Sequence, residues 1–151
     1  MALFTLKESS KYSEAEIIAF LSTAVIPMRL ACNSDKGFPL VASHWFKYQD
    51  GALYCAIHRS SLMAKLLTND PRCGFEIAAD TAPYRGVRGQ GKASLLTERA
   101  DENLHNLILR YLGDSQSQLA KWLLSRSDEE YLVRITPTWL TSWDFSERMT
   151  G

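Results

Sequence analysis

The hydrophobic period of this chain changes at Val25, and that change limits what it can fold into more than any other feature. Before it, Ile17, Leu21 and Ala24 recur at helical spacing, with Ile18 and Phe20 beside them. Ser13 and Glu16 stand in the spacing of a capping box, so a helix is predicted over Ser13–Ala24. After it the period is two. Val25–Cys32 is apolar with Arg29 as its only charge, and Ser34-Asp35-Lys36-Gly37 reads as a turn. Leu40, Ala42, His44, Phe46 and Tyr48 then alternate against Val41, Ser43, Trp45 and Lys47, as on a strand with two different faces. Asp50-Gly51 is a hairpin signal, and Ala52–Ile57 completes three strands expected as an antiparallel meander.

The remainder continues without repeated βα alternation. Ser60–Leu67 reads as a short helix capped by Ser60 or Ser61 and stopped by Asn69-Asp70-Pro71. Arg72–Ala79 and Tyr84–Leu96 read as strands, the second interrupted by Gly86, Gly89 and Gly91. Glycines inside a strand mark bulges, bends or close backbone approach. Two helices follow. Leu104, Leu107, Ile108, Tyr111 and Leu112 line the first, which Gly113 ends, and Ser115 with Gln118 forms the expected cap of the second. Glu130–Ile135 and Trp139–Phe145 are expected as two closing strands flanking Pro137. This order disfavours a parallel doubly wound sheet and fits a mainly β fold, an antiparallel barrel with helices at its ends. No linker or repeat divides residues 1–151, so one domain is expected.

Composition excludes several functions. Lys+Arg and Asp+Glu number 17 each, which removes the positive field that nucleic-acid or acidic-membrane binding needs. The balance is uneven along the chain. Residues 58–96 carry Arg59, Lys65, Arg72, Arg85, Arg88 and Lys92 against Asp70, Glu76 and Asp80, a surplus suited to one phosphate. No basic n-region with a long apolar stretch opens the chain, and no apolar run approaches a membrane span, so a cytoplasmic protein is expected. Cys32, Cys55 and Cys73 lie in apolar runs at wide spacings, as buried small hydrophobes and not as a disulfide or metal framework.

Candidate chemistry is sparse. Gly86-x-x-Gly89-x-Gly91 is not a dinucleotide fingerprint and lies within a strand pattern. It is either a bent barrel strand or a place where a ligand approaches the backbone between Arg85 and Arg88. His58-Arg59-Ser60-Ser61, with Lys65 one turn later, opens a helix. It reads either as an ordinary capped surface helix or as a phosphate site, where free N–H groups, hydroxyls and cations converge. His44, His58 and His105 have no metal-ligand spacing, so no metal is expected. No Gly-x-Ser-x-Gly elbow occurs, and no catalytic side chain is assigned. Glu129-Glu130 and Asp101-Glu102 read as solvated ends. Trp139, Trp143 and Phe145 read as core or as a dimer interface. A barrel of this kind leaves chemistry to a cofactor.

The chain resembles the pyridoxamine 5′-phosphate oxidase-like family of flavin-binding split barrels, over about Ser13–Arg148. The resemblance rests on Met28-Arg29-Leu30-Ala31, Gly37-x-Pro39, Asp50-Gly51-x-Leu53-Tyr54, the serine-bearing short helix ending in Asp70-Pro71-Arg72, and Pro83-Tyr84-Arg85-Gly86-Val87-Arg88-Gly89-x-Gly91-x-Ala93. Arg110-Tyr111-Leu112, Ile135-x-Pro137 and Trp143-Asp144-x-Ser146-x-Arg148-Met149 complete it. It implies a homodimer with flavin mononucleotide (FMN) at the subunit interface, acting as an oxidoreductase on a small substrate or electron donor. By position it implies cofactor contacts at Arg29 and Leu30, at Ser43, His44 and Trp45, at His58, Arg59, Ser60, Ser61 and Lys65, and at Arg85, Arg88 and Trp143. Two departures qualify it. Leu62-Met63 follow Ser61 where many flavin-binding members carry basic residues, which keeps the deazaflavin F420 and haem as alternatives. The chain ends soon after Phe145, without the basic segment that holds the substrate in the true oxidase, so a relative of that enzyme is expected and not the enzyme itself. A flavin-binding or storage module without turnover is the further alternative.

Overall fold

The computed structural model describes residues 4–149. Strand β1 (Thr5–Leu6) precedes helix α1 (Glu14–Thr23), whose N-terminus carries the complete capping box: Ser13 Oγ accepts from Glu16 N, and the Glu16 carboxylate accepts from Ser13 N, both at 3.2 Å. Then come β2 (Met28–Asn33), β3 (Pro39–His44), β4 (Lys47–Gln49), β5 (Ala52–His58), α2 (Leu62–Asn69), β6 (Arg72–Ala78) and β7 (Arg85–Leu96). Helices α3 (Ala100–Leu112) and α4 (Gln118–Leu124), a 3-10 turn and the long β8 (Glu130–Asp144) close the chain.

The strands form one sheet in the order β3-β2-β6-β7-β8-β5-β4, antiparallel throughout, with β1 added in parallel to β8. The two edge strands, β3 and β4, are consecutive in sequence, so the sheet curls until the chain itself bridges its edges. This is a split barrel. The expected meander is corrected accordingly. The alternating run Leu40–Tyr48 is not one strand: it breaks at Trp45-Phe46, β3 pairs with β2, and β4 pairs with β5 on the other side of the split. The break is held by side chains. Phe46 turns fully into the barrel, its N–H donates to the Tyr111 hydroxyl (3.1 Å), and Trp45 stacks on the Tyr111 ring, centroids 5.1 Å apart and planes 7° apart.

The two expected closing strands are likewise one. Pro137 does not interrupt β8, because it lies opposite Gly91 beside a bulge between Gln90 and Gly91, where the ladder shifts by one residue. A missing N–H is tolerated at such a place. The cap of α4 is Ser117, whose Oγ accepts from Ala120 N (3.1 Å), and not the expected Ser115. Asp114 Oδ1 accepts from Gln116 N and Ser117 N and sets that turn.

Residues of one parity along each strand fill the barrel, the parity of β8 switching across its bulge at Thr138: Leu30, Leu53, Cys55, Ile57, Phe75, Ile77, Val87, Val133, Ile135 and Leu140. Ile17 and Leu21 of α1 and Met63, Ala64, Leu66 and Leu67 of α2 join this core. The three cysteines are free and buried, and burial pushes the Cys73 thiol up to about 12. A second apolar cluster of Leu104, Ile108 and Ala120 packs α3 and α4 against Trp45 and Ala56. Arg110 ties α3 to α1: its guanidinium donates to the carbonyls of Leu21, Ser22 and Ala24, where α1 ends.

Candidate functional site

The split leaves the part of β5 beyond Tyr54 without β4 as a neighbour. Two depressions adjoin it, one lined by Ala56 of β5 and Glu130 of β8, the other by Arg59, just beyond β5, and Tyr131 of β8.

The first is an apolar slot of about 310 Å³, lined by Ser43, His44 and Trp45 at the end of β3, Ala56 of β5, Leu104 and Leu107 of α3, Leu119 and Leu123 of α4, and Glu130. Sites that hold small organic ligands span ~300–1,000 Å³ and combine apolar walls with a few polar groups. Here those groups are His44 and Glu130. His44 Nε2 is buried without a hydrogen-bond partner, and burial holds the imidazole pKa below its ordinary value, which favours the neutral ring. Burial likewise raises the Glu130 carboxyl, against the pull of His58 and Arg126. Glu130 is thus a half-buried wall of the slot, and the reading of it as a solvated end is corrected. Tyr111 fixes the Trp45 wall: its hydroxyl donates to the Ile26 carbonyl (2.8 Å) while accepting from Phe46 N.

The second is a basic corner of about 250 Å³ at the start of α2, lined by Arg59, Ser60, Ser61, Lys65, Thr68 and Tyr131 among others. Ser61 is the N-cap, its Oγ accepting from Ala64 N (3.1 Å), while Ser61 N donates to the His58 carbonyl. Lys65 N donates to the Ser61 carbonyl. The N–H groups of Leu62 and Met63 are therefore the orphan donors of this helix end. The side chains that depart from the basic pattern still present backbone donors; Leu62 is exposed and Met63 buried. The Arg59 guanidinium lies over the Tyr131 ring (5.5 Å), and its Nε donates to the Glu130 carbonyl (3.2 Å). Neither Arg59 nor Lys65 pairs with a carboxylate among the described residues, whereas Arg72, Arg99 and Arg126 do. His58 Nδ1 accepts from Ser60 N (3.1 Å), which places the ring proton on Nε2, facing Glu129 at 3.5 Å.

The structure gathers some of the expected contacts and disperses others. Ser43, His44 and Trp45 line the slot, and Arg59, Ser60, Ser61 and Lys65 line the corner, with His58 beside it. Leu30 points into the barrel core. Arg29 and Arg88 lie on the outer sheet face, where Arg88 covers the Trp143 ring at 5.2 Å. Arg85 points elsewhere, over Phe20 at 6.0 Å and opposite Asp144, whose carboxyl is held down at about 2 by bonds from Ser146 and the Tyr12 hydroxyl. Residue reading alone missed the α4 wall and Tyr131. The apolar face Leu119–Leu123 was the available signal for the first; nothing local marks the second. No cluster of three or more metal-ligating side chains and no helix able to cross a membrane occurs among the described residues.

No family model and no curated protein matches the chain. Solved structures do. The conserved hypothetical protein Rv2991 from Mycobacterium tuberculosis is 26% identical, with 97% of this chain and 94% of that one covered and a TM-score of 0.77. A fad-binding protein from Mesorhizobium loti matches at 17% identity, 87% and 94% coverage and TM-score 0.66. An F420 reductase matches at 18% identity, 80% and 93% coverage and TM-score 0.64. A putative pyridoxamine 5′-phosphate oxidase from Listeria innocua matches at 16% identity, 87% and 97% coverage and TM-score 0.63, so the chain shares the split-barrel fold of these proteins.

Proposed function

We propose that the protein binds FMN and serves as a flavin-dependent oxidoreductase for a small substrate. The observation that carries this reading is the juxtaposition of an apolar, aromatic-walled slot with a basic helix-start corner, the two chemistries of a flavin mononucleotide. The residues fit the group. The Leu62 and Met63 N–H donors, the Ser60 and Ser61 hydroxyls, Arg59 and Lys65 would hold the phosphate. Trp45, Ala56 and the leucines of α3 and α4 would enclose the ring, and the unpartnered His44 Nε2 would meet one of its polar edges. A bound flavin supplies hydride or single-electron transfer. The chain's own part is to bind, to orient and to keep water from the ring face.

The same reading takes the protein as a homodimer joined through the outer sheet face, where Val41 is 59% exposed and Arg29, Arg88, Trp139 and Trp143 gather. Titration of apoprotein with FMN, followed by quenching of flavin fluorescence, tests the site. Arg59→Gln is expected to weaken binding about tenfold or more, the worth of one charge-assisted hydrogen bond. Arg72→Gln, whose guanidinium is occupied by Asp70, is expected to leave it unchanged. Equal affinity of wild type and Arg59→Gln, or no quenching at all, overturns the reading. F420 and haem, titrated in parallel, cover the alternative cofactors.

A further inference from the structure

A third cavity, of about 340 Å³, lies on the other flank of α3 from the slot, between that helix, β4, and the outward faces of β5 and β8. Its floor holds an unresolved hydrogen-bond demand. Asn103 is only 3% exposed, and its Nδ2 donates to the Cys55 carbonyl at 3.0 Å. A carbonyl can only accept, so this bond fixes which end of the amide is which. Oδ1 is therefore the other end, and it is buried with no partner. A native interior seldom leaves such an acceptor unpaired.

The rim carries the complementary charge. The Lys47 ammonium stands over the Tyr54 ring at 5.5 Å, and Arg134 is exposed on β8; neither forms an ion pair among the described residues. The third cation, Arg99, is already occupied by two hydrogen bonds to Glu102, at 2.8 and 2.9 Å. The cavity thus offers two cations that form no ion pair among the described residues, above one buried acceptor. Of its two carboxylates, Glu102 is held by Arg99 and feels the Lys47 charge, and Glu98 stands beside Arg99, so the lining keeps a surplus of one positive charge. A matching ligand presents a carboxylate and, one or two bonds away, an N–H or O–H donor.

The geometry points to a binding site for a small 2-amino or 2-hydroxy acid, its carboxylate on Lys47 and Arg134 and its amino or hydroxyl group donating to Asn103 Oδ1. This site is separate from the slot and corner and stands whether or not a flavin occupies them.

Binding to the full chain can be followed by calorimetry, and by the Asn103 side-chain amide signal in nuclear magnetic resonance spectra. The probes are L-serine and L-lactate, with propionate lacking the donor and ethanolamine lacking the carboxylate. L-serine or L-lactate is expected to bind and to move the Asn103 signal, with propionate and ethanolamine at least about tenfold weaker. The surface variants Arg134→Gln and Lys47→Gln are each expected to weaken binding about tenfold without changing the melting temperature. If neither acid binds, if propionate binds as well as lactate, or if Arg134→Gln and Lys47→Gln bind as wild type does, the site is not what we infer and Asn103 Oδ1 is satisfied by water alone.

Discussion

The barrel depends on two strands approaching too closely for side chains, and the sharpest test is a pair of glycine substitutions with opposite signs. At Gly89 of β7 a Cβ would stand 2.3 Å from the Trp139 carbonyl oxygen, 2.7 Å from Leu140 Cδ2 and 2.9 Å from Phe75 Cζ. The closest of these is backbone of β8, which cannot move without disturbing the β7–β8 ladder. Overpacking costs about 1–3 kcal/mol where neighbours can yield. With a main-chain atom in the way, Gly89→Ala should cost about 3 kcal/mol or more. For a chain of this length that lowers the melting temperature by about 6–12 °C. Gly74, facing Gln90 on the adjacent strand β6, is different: a Cβ there meets only the Gly89 carbonyl oxygen at 3.8 Å, an ordinary contact. Replacing a strand glycine by alanine reduces the freedom of the unfolded chain, so Gly74→Ala should stabilise by about 0.5–1 kcal/mol. Thermal and urea unfolding followed by circular dichroism would measure both. A Gly89→Ala protein melting within a degree of wild type, or a Gly74→Ala protein as damaged as Gly89→Ala, would refute the close-approach account.

Other consequences are as direct. Tyr111→Phe removes the hydroxyl that serves both Ile26 O and Phe46 N, and should cost about 1–3 kcal/mol in urea unfolding; an unchanged midpoint would mean that the break between β3 and β4 is held by packing alone. His44 has a folded pKa below its unfolded value near ~6.5, so the unfolded chain binds the proton first. Its contribution is therefore fully present above that pH and is lost as pH falls from there toward the folded pKa. His44→Gln should flatten this part of the stability–pH profile, and a variant with the wild-type profile would assign the slope to other groups. Cys55 and Cys73 are buried thiols with raised pKa, so a thiol reagent should label neither in the folded protein and both in denaturant. Labelling without denaturant would show the barrel to open readily.

Where the signal was local, it was legible. The Ser13–Glu16 capping box forms as written, and Asp50-Gly51 makes the hairpin turn with both residues at positive φ, 49° and 86°. The glycines of β7 announced a bulge and a close approach, and both are there. The break at Trp45-Phe46 was hidden because the period-two pattern runs straight across it. The alternation records which residues face inward, not that the strand changes partner. Pro137 misled in the opposite direction: a proline reads as an interruption, but its missing N–H falls beside a bulge in which Thr138 of the same strand is the extra residue, facing the Gln90–Gly91 step of β7. The dispersal of the site residues follows from parity. Arg29 and Leu30 are one step apart, and Arg85 and Arg88 three, so each pair points to opposite sides of its strand. The slot, by contrast, joins the end of β3 to α4 across about 75 intervening residues, a distance that no local pattern bridges.

The central claim is that the slot and the basic corner together hold a flavin, and the visible absorption spectrum of the protein, purified without added cofactor from its own host, tests it most directly. The account predicts the two-banded flavin spectrum, released with the free cofactor on denaturation and identified as FMN. A Soret band, a deazaflavin spectrum, or a colourless protein that leaves added FMN fully fluorescent would contradict it.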